Sequence, residues 1–272
     1  MKKTAILLLT VCASALTYVS CSKEEIVNQT DTTAVGASVT FDATTEMDVK
    51  TGILVTTNTP TSKSATAVPG ICANITVEKP TAEAFPKIFT IDFGTAGCTD
   101  NQIIKKGKLK ITLTGPVTTT GSKMTIERID YSINGVKLEG TITYTNTTTD
   151  QTVPKWSRKI ENGKLTDTNG RVYTSNGSHV VKQTAGFATV TLDDNVYEMT
   201  EGKHIITTDK GGTLTLTVQE TLVKKYSCEF VSKGKLKVEG GFLNGVIDYG
   251  NNDCDAKYTY THENGAVYTL GM

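Results

Sequence analysis

Histidine and tryptophan are scarce in this chain: three and one residues respectively out of 272. His179, His204 and His262 are separated from one another and from any cysteine, and no C-x2-C spacing occurs, so a zinc site is not expected. No G-x-S-x-G, H-E-x-x-H or phosphate-binding glycine loop is present, so no catalytic residue, cofactor or enzymatic activity is assigned. A charge surplus is missing too. Twenty-eight Lys and Arg balance 28 Asp and Glu, which removes the electrostatic case for a nucleic-acid partner. After the first twenty residues no apolar run is long enough to span a bilayer as a helix. No window of a dozen residues there shows a 3.6-residue apolar period, so no helix is expected.

What is present begins at the N-terminus. Lys2 and Lys3 precede an apolar stretch from Ala5 to Val11, and small residues lead to Ser20-Cys21. That order is the pattern of a secretory signal peptide, assigned to residues 1–20. Ala13-Ser14-Ala15 would suit cleavage to a soluble product. Cleavage before Cys21 would instead yield a lipid-modified cysteine. Tyr18-Val19-Ser20-Cys21 resembles a lipobox, departing from it at Tyr18. Cysteine parity favours the second route. Of six cysteines, losing Cys12 and acylating Cys21 leaves four, whereas cleavage after Ala15 leaves an odd thiol in an oxidising compartment.

Residues 21–35 are read as a lipidated tether. Ser22-Lys23-Glu24-Glu25 resembles the acidic export signal of surface lipoproteins of the Bacteroidota, which implies an outer-membrane anchor facing the exterior. Asp31-Thr32-Thr33 resembles the O-glycosylation sequon of that phylum, which makes Thr32 a candidate site.

The rest of the chain points to antiparallel β structure. Threonine supplies 49 of 272 residues, and a β-branched polar side chain suits the solvent face of a strand. Asn-Gly pairs at 134, 162, 169, 176, 244 and 264 read as hairpin turns, because both positions of a type I′ turn need positive φ. Around Asn134-Gly135, Ile133 should pair with Val136, Tyr131 with Leu138 and Ile129 with Gly140, with a bulge near Glu127-Arg128. Around Asn162-Gly163, Ile160 should face Leu165. Around Asn244-Gly245, Leu243 should face Val246 and Phe242 should face Ile247. Further strands are expected at 87–93, 108–114 and 212–218, and flexible connections at 56–69 and 145–152. The predicted architecture is all-β, with antiparallel hairpin meanders forming two β-sandwich-like units, 36–150 and 151–272.

Ile91-Asp92-Phe93-Gly94…Cys98 recurs as Ile247-Asp248-Tyr249-Gly250…Cys254, each 26 residues after Cys72 and Cys228. Four cysteines permit three pairings. The recurrence favours Cys72–Cys98 with Cys228–Cys254, and related β modules. Lys-Gly-Lys-Leu-Lys also occurs twice, at 106 and 233, but at a different offset. Together these features resemble a group of uncharacterised Bacteroidota lipoproteins, which implies location and an all-β fold without an activity. The oxygen-rich segment Asp248–Asp255 reads as turn chemistry with calcium as the alternative. Asp193-Asp194 reads as a turn. Trp156 reads as packing, or else as a platform for an extracellular glycan. The expected role is therefore a non-enzymatic surface protein held to the membrane by its lipid. A glycan- or polymer-binding accessory protein of nutrient uptake and an unrecognised hydrolase are the alternatives.

Overall fold

The computed structural model describes residues 31–57, 68–78, 85–189 and 191–271; the signal segment and Cys21 lie outside them. Among the described residues, thirteen antiparallel strands form one sheet, each hydrogen-bonded to the next in sequence. They are β1 (Asn74–Glu78), β2 (Lys87–Asp100), β3 (Ile103–Leu113), β4 (Lys123–Ile133), β5 (Val136–Asn146), β6 (Lys155–Thr166) and β7 (Val172–Ala185). β8 (Val196–Thr208), β9 (Thr213–Lys225), β10 (Lys233–Glu239), β11 (Gly245–Asn251), β12 (Lys257–His262) and β13 (Val267–Gly271) complete the order. The all-β antiparallel meander is as the alternation predicts. Its ladder is continuous across the 150/151 boundary drawn from sequence, because β5 pairs with β6 from Lys137↔Thr166 to Asn146↔Trp156.

The sequence reading missed the element around which this sheet is built. Helix α1 (Thr33–Thr57) absorbs the end of the expected tether and the start of the expected 56–69 connection. Nineteen of its 25 residues are buried, on every side. Such a helix has no polar face, hence no amphipathic period to read. At 1.5 Å per residue it is about 37 Å long. Its partners range from Lys105 on β3 and Arg128 on β4 to Tyr249 on β11, so the sheet curls around it. Several buried hydroxyls are satisfied inside the helix, although that of Thr45 has no partner among the described residues. Thr44, Thr51 and Thr56 donate to the carbonyls of Thr40, Met47 and Gly52 at 2.8 Å, and Ser38 to Val35 at 2.7 Å.

Curling requires kinks, and the Asn-Gly pairs supply several of them. Asn134-Gly135 is the predicted hairpin, with φ of 49° and 83° and the expected Ile133↔Val136 and Tyr131↔Leu138 pairs. The predicted irregularity in β4 is present between Glu127 and Tyr131. Its extra residues swing Ile129 out to 42% exposure, so Ile129 is not on the buried face and does not pair with Gly140. Asn162-Gly163 and Asn176-Gly177 are corrections: both lie inside strands. The first is a bulge in β6, where the register shifts between Ile160 and Gly163 and the Asn176 side chain accepts the Asn162 N–H at 2.9 Å. Asn244-Gly245 is also corrected. The turn lies at 240–244, so Val246 faces Lys237 and Ile247 faces Leu236. Register shifts recur between Lys106 and Lys108, Glu139 and Thr141, Met199 and Lys203, and Lys233 and Lys235. A line of bulges thus crosses the sheet and bends it.

The recurring motifs form one ladder at both ends of the sheet. On β2 and β3, Asp92 faces Lys108 and Ile91 faces Leu109; on β11 and β10, Asp248 faces Lys235 and Ile247 faces Leu236. In each, the aspartate Oδ1 accepts the N–H of the positive-φ glycine two residues on, at 2.9 and 2.8 Å. The two strands occur in opposite chain order, which explains the mismatched offset of Lys-Gly-Lys-Leu-Lys and rules out a simple tandem repeat. Cys72–Cys98 and Cys228–Cys254 are both formed, with Cα atoms 5.8 and 5.2 Å apart.

A glycine substitution series separates these roles. A Cβ on Gly177 would lie 2.4 Å from His204 Cβ and 2.6 Å from its Cα, so Gly177→Ala must part β7 from β8. Gly170, in the turn before β7, has φ of 81° but open space around it. Gly170→Ala should cost about 1 kcal/mol of backbone strain, and Gly177→Ala about 3 kcal/mol or more. Urea unfolding measures both; equal costs would refute the close-approach role of Gly177.

Candidate functional site

Enclosing a helix that carries Asp42, Glu46 and Asp48 forces the sheet to supply cations. Asp48 and Arg128 are paired with both side chains fully buried: Arg128 Nε–H donates to Oδ2 at 2.8 Å, and the Tyr131 hydroxyl to Oδ1 at 2.7 Å. Towards the N-terminus of α1, Arg158 donates through Nη1 to Glu46 Oε1, and its Nη2 lies 2.9 Å from His179 Nδ1 and 3.7 Å from Asp42 Oδ1. Asp42 also lies 3.8 Å from His204 Nε2 and accepts from the Tyr249 hydroxyl at 3.5 Å. Two histidines that are far apart in sequence stand side by side here, with ring centroids 5.6 Å apart.

Burial governs the protonation of this network. Both imidazoles are held below the usual histidine value, first by burial. Arg158 and His204 add to the effect at His179; at His204, Asp42 opposes and Arg158 adds. Tyr131 and Tyr249 are pushed well above the phenol value by burial and by the neighbouring carboxylates, so both keep the proton they donate. The network is buried, with Glu46 at its edge, and His179 Nε2 and both ring nitrogens of His204 have no hydrogen-bond partner among the described residues.

The open site lies farther along α1. A cleft of about 610 Å³ is walled by Met47, Lys50, Thr51 and Leu54 on the helix, by Ile71 and Cys72, by Phe93 and Lys105, and by the turns at 191–193 and 226–229. Lys50 lies 2.5 Å from Glu229 Oε1 and 5.3 Å from the centre of the Tyr226 ring. Lys105 Nζ donates to Thr51 Oγ1 at 3.1 Å and lies 5.6 Å from the centre of the Phe93 ring. Burial lowers the Lys105 pKa, opposed by the charges of Asp48, Glu229 and Asp100. Behind the wall, the Lys224 ammonium donates to the carbonyls of Lys225 and Cys228, and burial brings its pKa down to about 7. Cleft volume and mixed lining match a small-molecule site.

The residues singled out from sequence fall elsewhere. Trp156 is buried, stacks on Tyr144 with centroids 5.6 Å apart, and donates to the Val117 carbonyl, so it is packing and not a glycan platform. Asp248, Asn252 and Asp255 spend their side-chain oxygens on local contacts: Gly250 N–H, Ser232 Oγ and Lys257 N–H respectively. Among the described residues no group of three or more His, Cys, Asp or Glu is placed to hold a metal ion. Asp194 accepts from the Thr189 hydroxyl in the turn expected there. Thr32 is half-buried at the start of α1, with its carbonyl accepting the Gly36 N–H at 3.0 Å. Cys21 lies outside the described residues. The charge network and cleft were missed in sequence, although Arg158 sits in phase with buried Trp156 and Ile160, and Arg128 with Met124 and Ile126. An arginine at an apolar phase was the available signal.

Neither the protein-family models, the curated proteins nor the solved structures contain a match to this chain.

Two predictions follow from the network. Asp48→Ala leaves Arg128 buried and unpaired, and should cost about 3–5 kcal/mol. Replacing the whole cluster, as Asp48→Leu/Arg128→Met/Tyr131→Phe, should recover most of that loss in chemical denaturation. Equal losses in both variants would show that the charges are not coupled. Separately, burial holds His179 and His204 neutral in the native state, while in the unfolded chain they take up protons below about pH 6.5. Stability should therefore fall as pH drops from about 7 to 5, by up to about 1.4 kcal/mol per pH unit per histidine. Lys224 is protonated in both states below pH 7 and adds no slope there. Between about 7 and 10.5 only the unfolded chain holds that proton, so its contribution to stability rises with pH. His179→Gln/His204→Gln should flatten the acid limb; an unchanged limb would assign it to other groups.

Proposed function

We propose that this protein is exported, anchored to the outer membrane through a lipid on Cys21 and turned to the cell exterior, where its folded part acts as a non-catalytic binding protein. One observation carries the anchoring: both disulfides are formed in the folded part and take up Cys72, Cys98, Cys228 and Cys254. Of the six cysteines only Cys12 and Cys21 are left, and processing before Cys21 leaves no odd thiol. The acidic residues Glu24 and Glu25 support the outward orientation. The non-catalytic reading is supported by the state of the titratable groups. Asp42, Glu46 and Asp48 are paired with Arg128 and Arg158 in the interior, away from the cleft, whereas a general acid or base must come within hydrogen-bonding reach of its substrate. Binding is supported by the cleft beside Lys50 and Lys105.

Cells expressing the full chain and fed an alkyne-tagged fatty acid should label the protein, and Cys21→Ser should abolish the label and release the protein from the membrane. Protease added to intact cells should digest the wild-type protein, and Glu24→Ala/Glu25→Ala should protect it. A soluble product beginning at Leu16 would overturn the anchoring.

A further inference from the structure

We propose that the cleft binds an amphipathic monocarboxylate, with its carboxylate on Lys105 and its apolar body along Met47, Leu54, Ile71 and Phe93; this rests on the reading of the folded part as a binding protein. The two lysines in the cleft are not equivalent. Lys50 is neutralised by Glu229 at 2.5 Å. Among the described residues, Lys105 Nζ has only a neutral hydrogen-bond partner, Thr51 Oγ1, and an aromatic face, Phe93. An ammonium has three donors, so two remain to donate to the oxygens of a ligand carboxylate. The hydroxyl and the ring hold the lysine in place, so little side-chain freedom is lost when a ligand binds.

The cleft also selects against other charges. With Glu229 spent on Lys50, Asp100 and Asp193 still share the lining, so a dianion such as a phosphate monoester meets two carboxylates with one uncommitted cation to offset them. A monoanion is matched by Lys105 alone. Burial already weakens the hold of Lys105 on its proton, and an anion placed there restores it. The apolar body follows from the walls, where Leu54 and Ile71 are partly exposed and the buried Met47 and Phe93 back them. A volume of about 610 Å³ accommodates a chain of about ten carbons with room to spare.

Decanoate, decanol and decyltrimethylammonium, all below their micellar concentrations, test this by calorimetric titration of the full chain carrying Cys21→Ser, which removes the lipid. Decanoate should bind one to one and at least about 10-fold more tightly than decanol, as charge-assisted hydrogen bonds imply. Lys105→Met should lose that advantage and leave decanol unchanged, while Lys105→Arg should retain most of it. Cooperative thermal unfolding of each variant guards against misfolding. Ile71→Trp, which leaves Lys105 in place, should block both decanoate and decanol. Equal binding of decanoate and decanol overturns the carboxylate assignment and leaves the binding reading standing. Tighter binding of decyltrimethylammonium overturns it in favour of a cation site at the acidic rim. Binding of none of the three overturns the ligand class and the binding reading together.

Discussion

The buried pairing of Asp48 with Arg128, and of Glu46 with Arg158, is the constraint on which the rest of this structure depends. A helix enclosed by a sheet has no solvent face on which to leave a carboxylate. Each buried charge unpaired in the interior costs several kcal/mol, so every acidic residue of α1 that points into the sheet must find its cation there. Turning α1 by a single residue, about 100°, would leave the carboxylates without partners. The ion pairs therefore set the rotation and register of an element whose apolar surface is too uniform to do so. Threonine-rich helices would otherwise be free to slide, because one buried methyl is much like another.

Wrapping a sheet around that helix imposes the second constraint. Thirteen hydrogen-bonded strands twist, but they enclose a cylinder only where the ladder is broken and bent. The bulges at Lys106–Lys108, Glu139–Thr141, Ile160–Gly163 and Met199–Lys203 supply those bends, with glycines where neighbouring backbones come closest. The cleft is a consequence of the same geometry. Near its C-terminal half α1 is flanked by loops, and both disulfides act on them. Cys72 is itself part of the cleft wall, and Cys228 adjoins Glu229, the partner of Lys50. Each bridge fixes one lip of the opening, so the shape of the site is tied to the oxidised state of the cysteines.

Much of the sheet was legible in the sequence because strands with one buried face alternate. The Asn134-Gly135 hairpin, the Tyr131↔Leu138 pair and the β4 irregularity follow directly from that pattern. The helix was hidden for the opposite reason: burial all round erases the period, and Thr, Val, Ile and two glycines are poor helix formers in isolation. Asn-Gly misled at 162 and 176 because positive φ, or close backbone approach, serves a mid-strand bulge as well as a hairpin tip. The cleft was not legible, since its walls come from positions as far apart as Met47 and Glu229. Part of the network was. Arg128 and Arg158 break the apolar phase of their strands, and Asp42 and Glu46 are one helical turn apart.

The dependence of α1 on distant partners also bears on how the chain reaches its folded state. Asp48 meets Arg128 80 residues on, Lys50 meets Glu229 after 179, and Asp42 meets Tyr249 after 207. Contacts so remote in sequence carry a large loop-closure cost, and a segment rich in β-branched residues is a weak helix without them. On the proposed export route this is an advantage. A strong helix former would emerge first, fold alone and expose an apolar surface on every side while the sheet was still incomplete. A weak one gains little as an isolated helix and depends on the strands that neutralise its carboxylates. Poor helix propensity and buried charge thus act together: α1 draws its stability from the sheet that encloses it.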